Sequence, residues 1–304
     1  TLLPAKGAAV EVLDQLPIGL AIGAVLLLAA LGLNFTFGQM GVINMAHGEF
    51  IMIGAYTAFV LHAWAGLGSS HALLVALPVA FAVTGTLGWL LEAGLIRHFY
   101  GRPLDTLLLT FGIGMILQQA ARDTFGAPNV DVPAPDWLTG GITLFDSVRI
   151  HHSRLFILAL ALVSVVAIAL YLHRSTAGRQ MRAVIHNRDL AAVSGVDTRR
   201  VDATTFFIGS GLAGIAGVAL TLIGPTGPTL GTNYIVDAFL VVVIGGLGQL
   251  RGTVVAAFAL GLLNATVEAW ADASLAKLLV FATIVAFLQA RPQGLFTVKS
   301  RALT

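Results

Sequence analysis

The chain has 304 residues, of which 57% are hydrophobic and 11% charged, with a formal net charge of +2. A soluble domain carries roughly 25% charged residues, so water is excluded as the main solvent, and 17 basic residues scattered among loops form no nucleic-acid-binding stripe. Zero cysteines exclude disulfides, thiolate-ligated zinc, iron–sulfur clusters and thiol catalysis.

In hydrocarbon every backbone N–H and C=O must be paired within the protein, which leaves helices or a closed barrel. Apolar runs of about 16 to 25 residues without polar alternation favour helices. The sequence therefore predicts an all-α, polytopic transmembrane helix bundle, a single domain over residues 1–304 with about eight or nine spans. Residues 1–15 contain Lys6, Glu11 and Asp14 and no basic start followed by a cleavable apolar stretch, so no signal peptide is expected. Thr1 in place of a start Met suggests trimming or an incomplete N-terminus.

The first predicted spans are 18–36, 43–64, 72–97 and 105–121. Between the first two, Asn34, Gln39, Asn44, His47 and Glu49 place amides, an imidazole and a carboxylate in or beside apolar sequence. Such groups are costly there and mark either a pathway or a contact between helices. If residues from Asn44 onward are helical, Asn44 and His47 share a face, whereas Glu49 lies about 200° from His47. The structural alternative is that Asn44 caps a half-helix and His47 or Glu49 pairs with another helix. Glycines in Gly38-Gln39-Met40-Gly41 make a re-entrant or broken element plausible over 37–48.

The segment 123–153 is rich in acid and proline: Asp123, Asp131, Asp136, Asp146, Pro128, Pro133 and Pro135. His151 and His152 are adjacent, but no second cluster completes a ligand set, so no metal is expected. After a span at 154–172, the loop 173–202 carries Arg174, Arg179, Arg182, Arg188, Arg199 and Arg200 against Asp189, Asp197 and Asp202. Within it, Asn187 as N-cap and Gly195 as C′ residue frame a helix of about two turns, whose small Ala191 and Ala192 would fit a partner's groove. A solvated amphipathic loop helix is the bland alternative.

The remaining spans are 203–223, 235–250, 252–270 and 275–290. Gly209-Ser210-Gly211-Leu212-Ala213-Gly214 matches a dinucleotide fingerprint by letters only, because that motif needs a preceding strand and a following acidic residue, and here it sits within an apolar helix. Ser210/Gly214 and Ala213/Gly217 are small-xxx-small pairs that let helices approach closely. The run 245–252, with Gly245, Gly246, Gly248 and Gln249, is a second glycine-broken element.

Cytoplasmic loops are enriched in Lys and Arg. That rule puts 173–202, the loop with Arg97 and Arg102, and the tail with Arg291, Lys299 and Arg301 on the inside, and 123–153 outside. The first four spans then begin inward at 18 and the last four begin outward at 203, separated by 154–172, which is the pattern of inverted repeats. Paired glycine-broken elements point to the substrate pathway. No Walker A, H-E-x-x-H or G-x-S-x-G motif occurs, so any ATP hydrolysis belongs to another subunit.

These residues carry a resemblance over nearly the whole length. Its strongest pieces are the run Phe37-Gly38-Gln39-Met40-Gly41-Val42-Ile43-Asn44-Met45-Ala46-His47-Gly48-Glu49, the stretch from Arg182-Ala183 to Gly195, the 245–252 turn, and Arg291-Pro292-Gln293-Gly294-Leu295-Phe296. The chain resembles the membrane permeases of ABC importers for branched-chain amino acids and related solutes. Within them it is most similar to the urea permease subunit, through Arg102-Pro103-Leu104-Asp105-Thr106-Leu107-Leu108, Phe125-Gly126-Ala127-Pro128-Asn129-Val130 and Pro135-Asp136-Trp137-Leu138. Phe111 departs from the Trp expected there.

The resemblance implies a multi-pass protein of the bacterial inner membrane, with membrane lipid around it and no cofactor or metal of its own. Its implied partners are a second, similar permease, two cytoplasmic ATPase subunits and a periplasmic solute-binding protein that docks on 123–153. Arg182, Asn187, Arg188, Ala191, Ala192 and Gly195 would belong to the coupling element. Urea is neutral and has donors and acceptors, which suits amides such as Asn34, Gln39, Asn44 and Gln249. Branched-chain amino acids are the main alternative substrate, and a passive channel or an intramembrane enzyme are readings of other classes.

Overall fold

The computed structural model describes residues 8–144, 148–271, 273–291 and 294–296. Asp146, Pro292, Gln293, Lys299 and Arg301 lie outside the described residues, as do Thr1 and Lys6, and of Gln39 only the backbone is described.

The helices in order are α1 (Ala8–Met40), α2 (His47–Phe59), α3 (Ser69–Gly94), α4 (Pro103–Phe125), α5 (His152–Arg174), α6 (Thr176–His186), α7 (Arg188–Val193), α8 (Thr198–Leu220), α9 (Leu230–Gly245), α10 (Leu250–Glu268) and α11 (Ala273–Ala290). Among the described residues, six contain stretches long and apolar enough to cross a membrane: α1, α3, α4, α5, α8 and α10. The other three predicted spans correspond to the shorter α9 and α11 and to α2, which continues as a π-helix over Val60–Trp64. The ends follow local chemistry. Pro103 starts α4 with Asp105 in its first turn, where a carboxylate favours the helix dipole, and Asp197 caps α8 by accepting the Arg200 N–H at 3.1 Å.

One departure from the all-α prediction lies within 123–153. Strands β1 (Gly141–Leu144) and β2 (Val148–His151) pair antiparallel, with Gly141 opposite His151. Four residues of alternating pattern per strand are too short to stand out beside 20-residue apolar runs.

The loops sort onto two ends. Val42, Ile96 and Phe206 form one buried cluster with Met40 and Tyr100, which brings the end of α1, the end of α3 and the start of α8 together with the α6–α7 loop. This is the basic end, holding Arg97, Arg102 and the arginines of 173–202, the loops that the sequence predicts to face the inside. At the opposite, acidic end, Val130 bridges to Thr226, and Leu138 packs with Ala58, Leu73 and Val218.

The two groups of four pack as mirror roles. α3 lies on α8 as α10 lies on α1, and α2 lies on α8 as α9 lies on α1; α2–α3 repeats as α9–α10. The self-paired contacts are reciprocal. A Cβ at Gly32 would lie 2.2 Å from the Gly209 oxygen, and one at Gly209 would lie 2.7 Å from the Gly32 oxygen; Gly48 and Gly231 show 2.6 and 2.2 Å in the same way. Contacts in which each partner meets the other's equivalent atom are the signature of a two-fold axis, here relating α1 to α8 and α2 to α9. The inverted repeat read from hydropathy is thus visible as packing.

Candidate functional site

Neither α2 nor α9 begins at an end of the bundle. The His47 ring donates from Nε2 to the Ala29 carbonyl at 2.9 Å, well inside α1. Glu49 packs beside Gly114, halfway along α4, and Thr232 accepts a hydrogen bond from Gln118 Nε2 at 3.1 Å. Both are broken helices, entered by irregular returns at 41–46 and 221–229, and their N-termini meet where Gly48 abuts Gly231. The break expected at 37–48 is present. Its symmetry mate, however, is 221–229 rather than 245–252. Residues 246–249 form a tight turn at the basic end, where Gly246 and Gly248 adopt φ of 96° and 73°.

That turn does contact the first broken element. Asn34 Oδ1 accepts the Gly248 N–H at 2.8 Å, and a Cβ at Gly38 would lie 2.4 Å from Gly248 N. Gly245 packs against Gly252, Gly246 against the Phe296 carbonyl, and the Gln249 carbonyl accepts the Thr253 hydroxyl at 3.0 Å. These groups fasten α9, α10, α1 and the tail to one another. Asn34 satisfies a backbone donor rather than facing open space.

At the meeting of the half-helices the polar groups line up. Arg122 Nη2 donates to Gln118 Oε1 at 3.2 Å and Gln118 donates to Thr232, which together bring Arg122 and Thr232 into the surroundings of the Glu49 carboxylate. Glu49 sits in the first turn of α2, where the helix dipole favours a negative charge. His47 and Glu49 point to different neighbours, α1 and α9, as their spacing in a helix requires. Asn44 does not cap α2: Ala46 occupies the cap without a side-chain bond, and the buried Asn44 amide has no hydrogen-bond partner among the described residues. Instead Thr110 of α4 accepts the Met45 N–H at 3.0 Å and fixes the return. Gln118, Arg122 and Thr232 were missed by sequence reading because each alone is an ordinary polar residue.

At the basic end α7 has the frame expected. Asn187 Oδ1 accepts the Leu190 N–H at 2.9 Å; Gly195 (φ 85°) donates to Ala192 and Val196 donates to Ala191, both at 3.0 Å, completing a Schellman stop. Its exposed face differs from expectation. Ala191 is buried in the core, whereas Ala192, Leu190 and Val193 are exposed, Val193 by 82%. The correction follows from helix geometry, since Leu190 and Val193, three apart, share the outer face and Ala191 turns inward.

Arg182 donates to the Leu172 carbonyl in the last turn of α5, which satisfies a helix C-terminus. Arg188 makes a two-pronged bond to buried Asp202 of α8, at 3.1 and 2.5 Å, with its guanidinium 5.4 Å from the Tyr100 ring centroid. That bond raises the Arg188 pKa above its ordinary value. Tyr100 in turn donates to Glu92 of α3 at 2.7 Å, and burial, then this hydrogen bond, pushes its hydroxyl pKa up. α7 is thereby tied to both helices of the α3–α8 crossing.

A bundle of membrane-long helices with an inverted repeat, paired broken helices and a polar midpoint defines a helical transport protein of the membrane. The family described as branched-chain amino acid transport system / permease component matches residues 16–288, and the chain belongs to that family. It is 29% identical to the high-affinity branched-chain amino acid transport system permease protein LivH of Salmonella typhimurium, over 93% of this chain and 94% of that one. BraD of Pseudomonas aeruginosa, also named a high-affinity branched-chain amino acid transport system permease protein, is 29% identical over 93% and 95%. LivM of Escherichia coli, named likewise, is 28% identical over 88% of this chain and 67% of its own. No solved structure matches the chain.

Proposed function

We propose that this chain is the membrane permease subunit of an ATP-driven importer for branched-chain amino acids. The match of the permease family across 16–288 carries the reading. The likeness to LivH, BraD and LivM favours branched-chain amino acids over urea. The sequence argument for urea leaned on amides free to meet a neutral solute, and Asn34 is engaged by Gly248 instead.

Transport proceeds by alternating access: the two repeats rock about the Gly32/Gly209 and Gly48/Gly231 contacts, exposing the polar midpoint around Asn44, Glu49 and Thr232 to each side in turn. Two ATPase subunits dock at the basic end on the face of Leu190 and Val193, and Arg188 passes their closure to α8. A second, similar permease completes the membrane unit, and a periplasmic binding protein delivers solute at the acidic end, over the β1–β2 hairpin. Hydrolysis of ATP takes place on those partner subunits.

Uptake of labelled leucine and labelled urea by cells carrying the intact transporter tests the substrate. ATP-dependent leucine uptake is expected. Urea uptake without leucine uptake would replace the reading.

A further inference from the structure

Besides the midpoint, α9, α10, α11 and α1 line a partly open cavity of about 250 Å³, close to the smaller end of small-molecule sites. Its lining is divided by level. Along α9 one face carries Thr232 and Asn233, then Val236 and Asp237, then Leu240 on successive turns; along α11 it carries Lys277, then Phe281, then Ile284. α10 contributes Asn264 and, one turn toward the basic end, Leu260. Polar groups therefore collect toward the acidic end, from which solute arrives in an importer, and the inner floor is Leu240, Leu260 and Ile284.

Asp237 lies in the field of Lys277, yet among the described residues the two form no ion pair within 4.0 Å. Lys277, about one turn into α11, could snorkel to a membrane surface. Asp237, midway along α9, could not, and an ionisable group at that depth is expensive unless it serves a pathway or a partner.

The inverted repeat supplies an internal comparison. The equivalent helices α2, α3 and α4 line an open cavity of about 400 Å³ bordered by Met52, Ile53, Val79, Val83, Leu117 and Phe125, with hydroxyls as its only polar side-chain groups. One helix trio is stable around an apolar cavity, so the architecture does not demand the Asp237 and Lys277 charges in the other.

We infer that the α9–α10–α11 cavity binds the free amino acid in transit, with Lys277 pairing with its carboxylate, Asp237 with its ammonium, and Leu240, Leu260 and Ile284 receiving an aliphatic side chain. Opposite charges at the rim and hydrocarbon at the floor fit a zwitterion with an apolar tail and give urea nothing to fill the floor. This rests on the amino-acid importer reading, and the test separates the two.

Binding of labelled leucine to the purified full chain in nanodiscs is competed with 4-methylpentanoate, which lacks the ammonium, and isopentylamine, which lacks the carboxylate. Lys277→Met is expected to weaken leucine about tenfold or more, the consequence of losing a charge-assisted contact, while leaving isopentylamine unchanged. Asp237→Asn is expected to weaken leucine similarly and leave 4-methylpentanoate unchanged. Selective losses of this kind do not arise from misfolding. Leucine uptake measured in parallel divides the outcomes. Wild-type uptake with leucine binding and transport intact in both variants overturns the site alone, as does an equal loss of all three ligands. Absence of wild-type leucine uptake overturns the importer reading and this inference with it.

Discussion

The side chains that matter most are small or already engaged. At Gly231 a Cβ would lie 2.2 Å from the Gly48 carbonyl oxygen, a backbone atom that cannot turn aside. Gly231→Val should therefore cost about 1–3 kcal/mol or more as overpacking, read as a lower unfolding temperature in detergent, and should abolish uptake by wedging the half-helices apart. Asn34→Ala removes the acceptor for Gly248 N–H. An unmade bond of this kind costs about 1–3 kcal/mol, so thermal stability should fall, whereas substrate affinity should hold, because the Asn34 Oδ1 is engaged in fastening the turn. Polar residues stand out inside apolar sequence, but Asn34 shows why the type of role was not legible there. Its partner is a backbone N–H that lies 214 positions away.

At the scale of elements, α7 is the sharpest case. Its boundaries were readable because Asn187 and Gly195 are chemical signals for starting and stopping a helix. Which residues face outward was misjudged at Ala191, since a six-residue helix in a loop gives no periodicity from which to phase its buried side. The structure turns this into a paired expectation. Val193→Glu changes an exposed residue and should leave unfolding temperature and membrane insertion intact while reducing ATP-driven uptake strongly. Ala191→Glu buries a carboxylate in the core and should lower stability first. Normal uptake in Val193→Glu with wild-type stability would remove α7 from the coupling path. The β1–β2 hairpin and the 221–229 return were not legible for a different reason: both are short, and a return that dips into the bundle looks like any Gly-Pro loop until the residues it reaches are known.

For the whole molecule, charge and hydropathy carried most of the fold: the long helical stretches, two ends and two opposed groups of four, all read from where arginines collect and apolar runs break. Asp237 and Lys277 escaped notice because single charges inside apolar runs gain meaning only when different helices bring them to one cavity. The cysteine-free chain makes sidedness directly measurable. A single Cys at Arg179 should react with an impermeant maleimide only from the cytoplasmic face, and one at Asp136 only from outside; the reverse pattern would invert the topology. The claim beneath all the rest is that this bundle moves leucine inward on energy delivered at its basic end. In inside-out vesicles holding the assembled transporter, binding protein and labelled leucine in the lumen, ATP added outside should drive leucine out, with little efflux before it. Efflux that is equally fast without ATP would identify a passive channel and contradict the account.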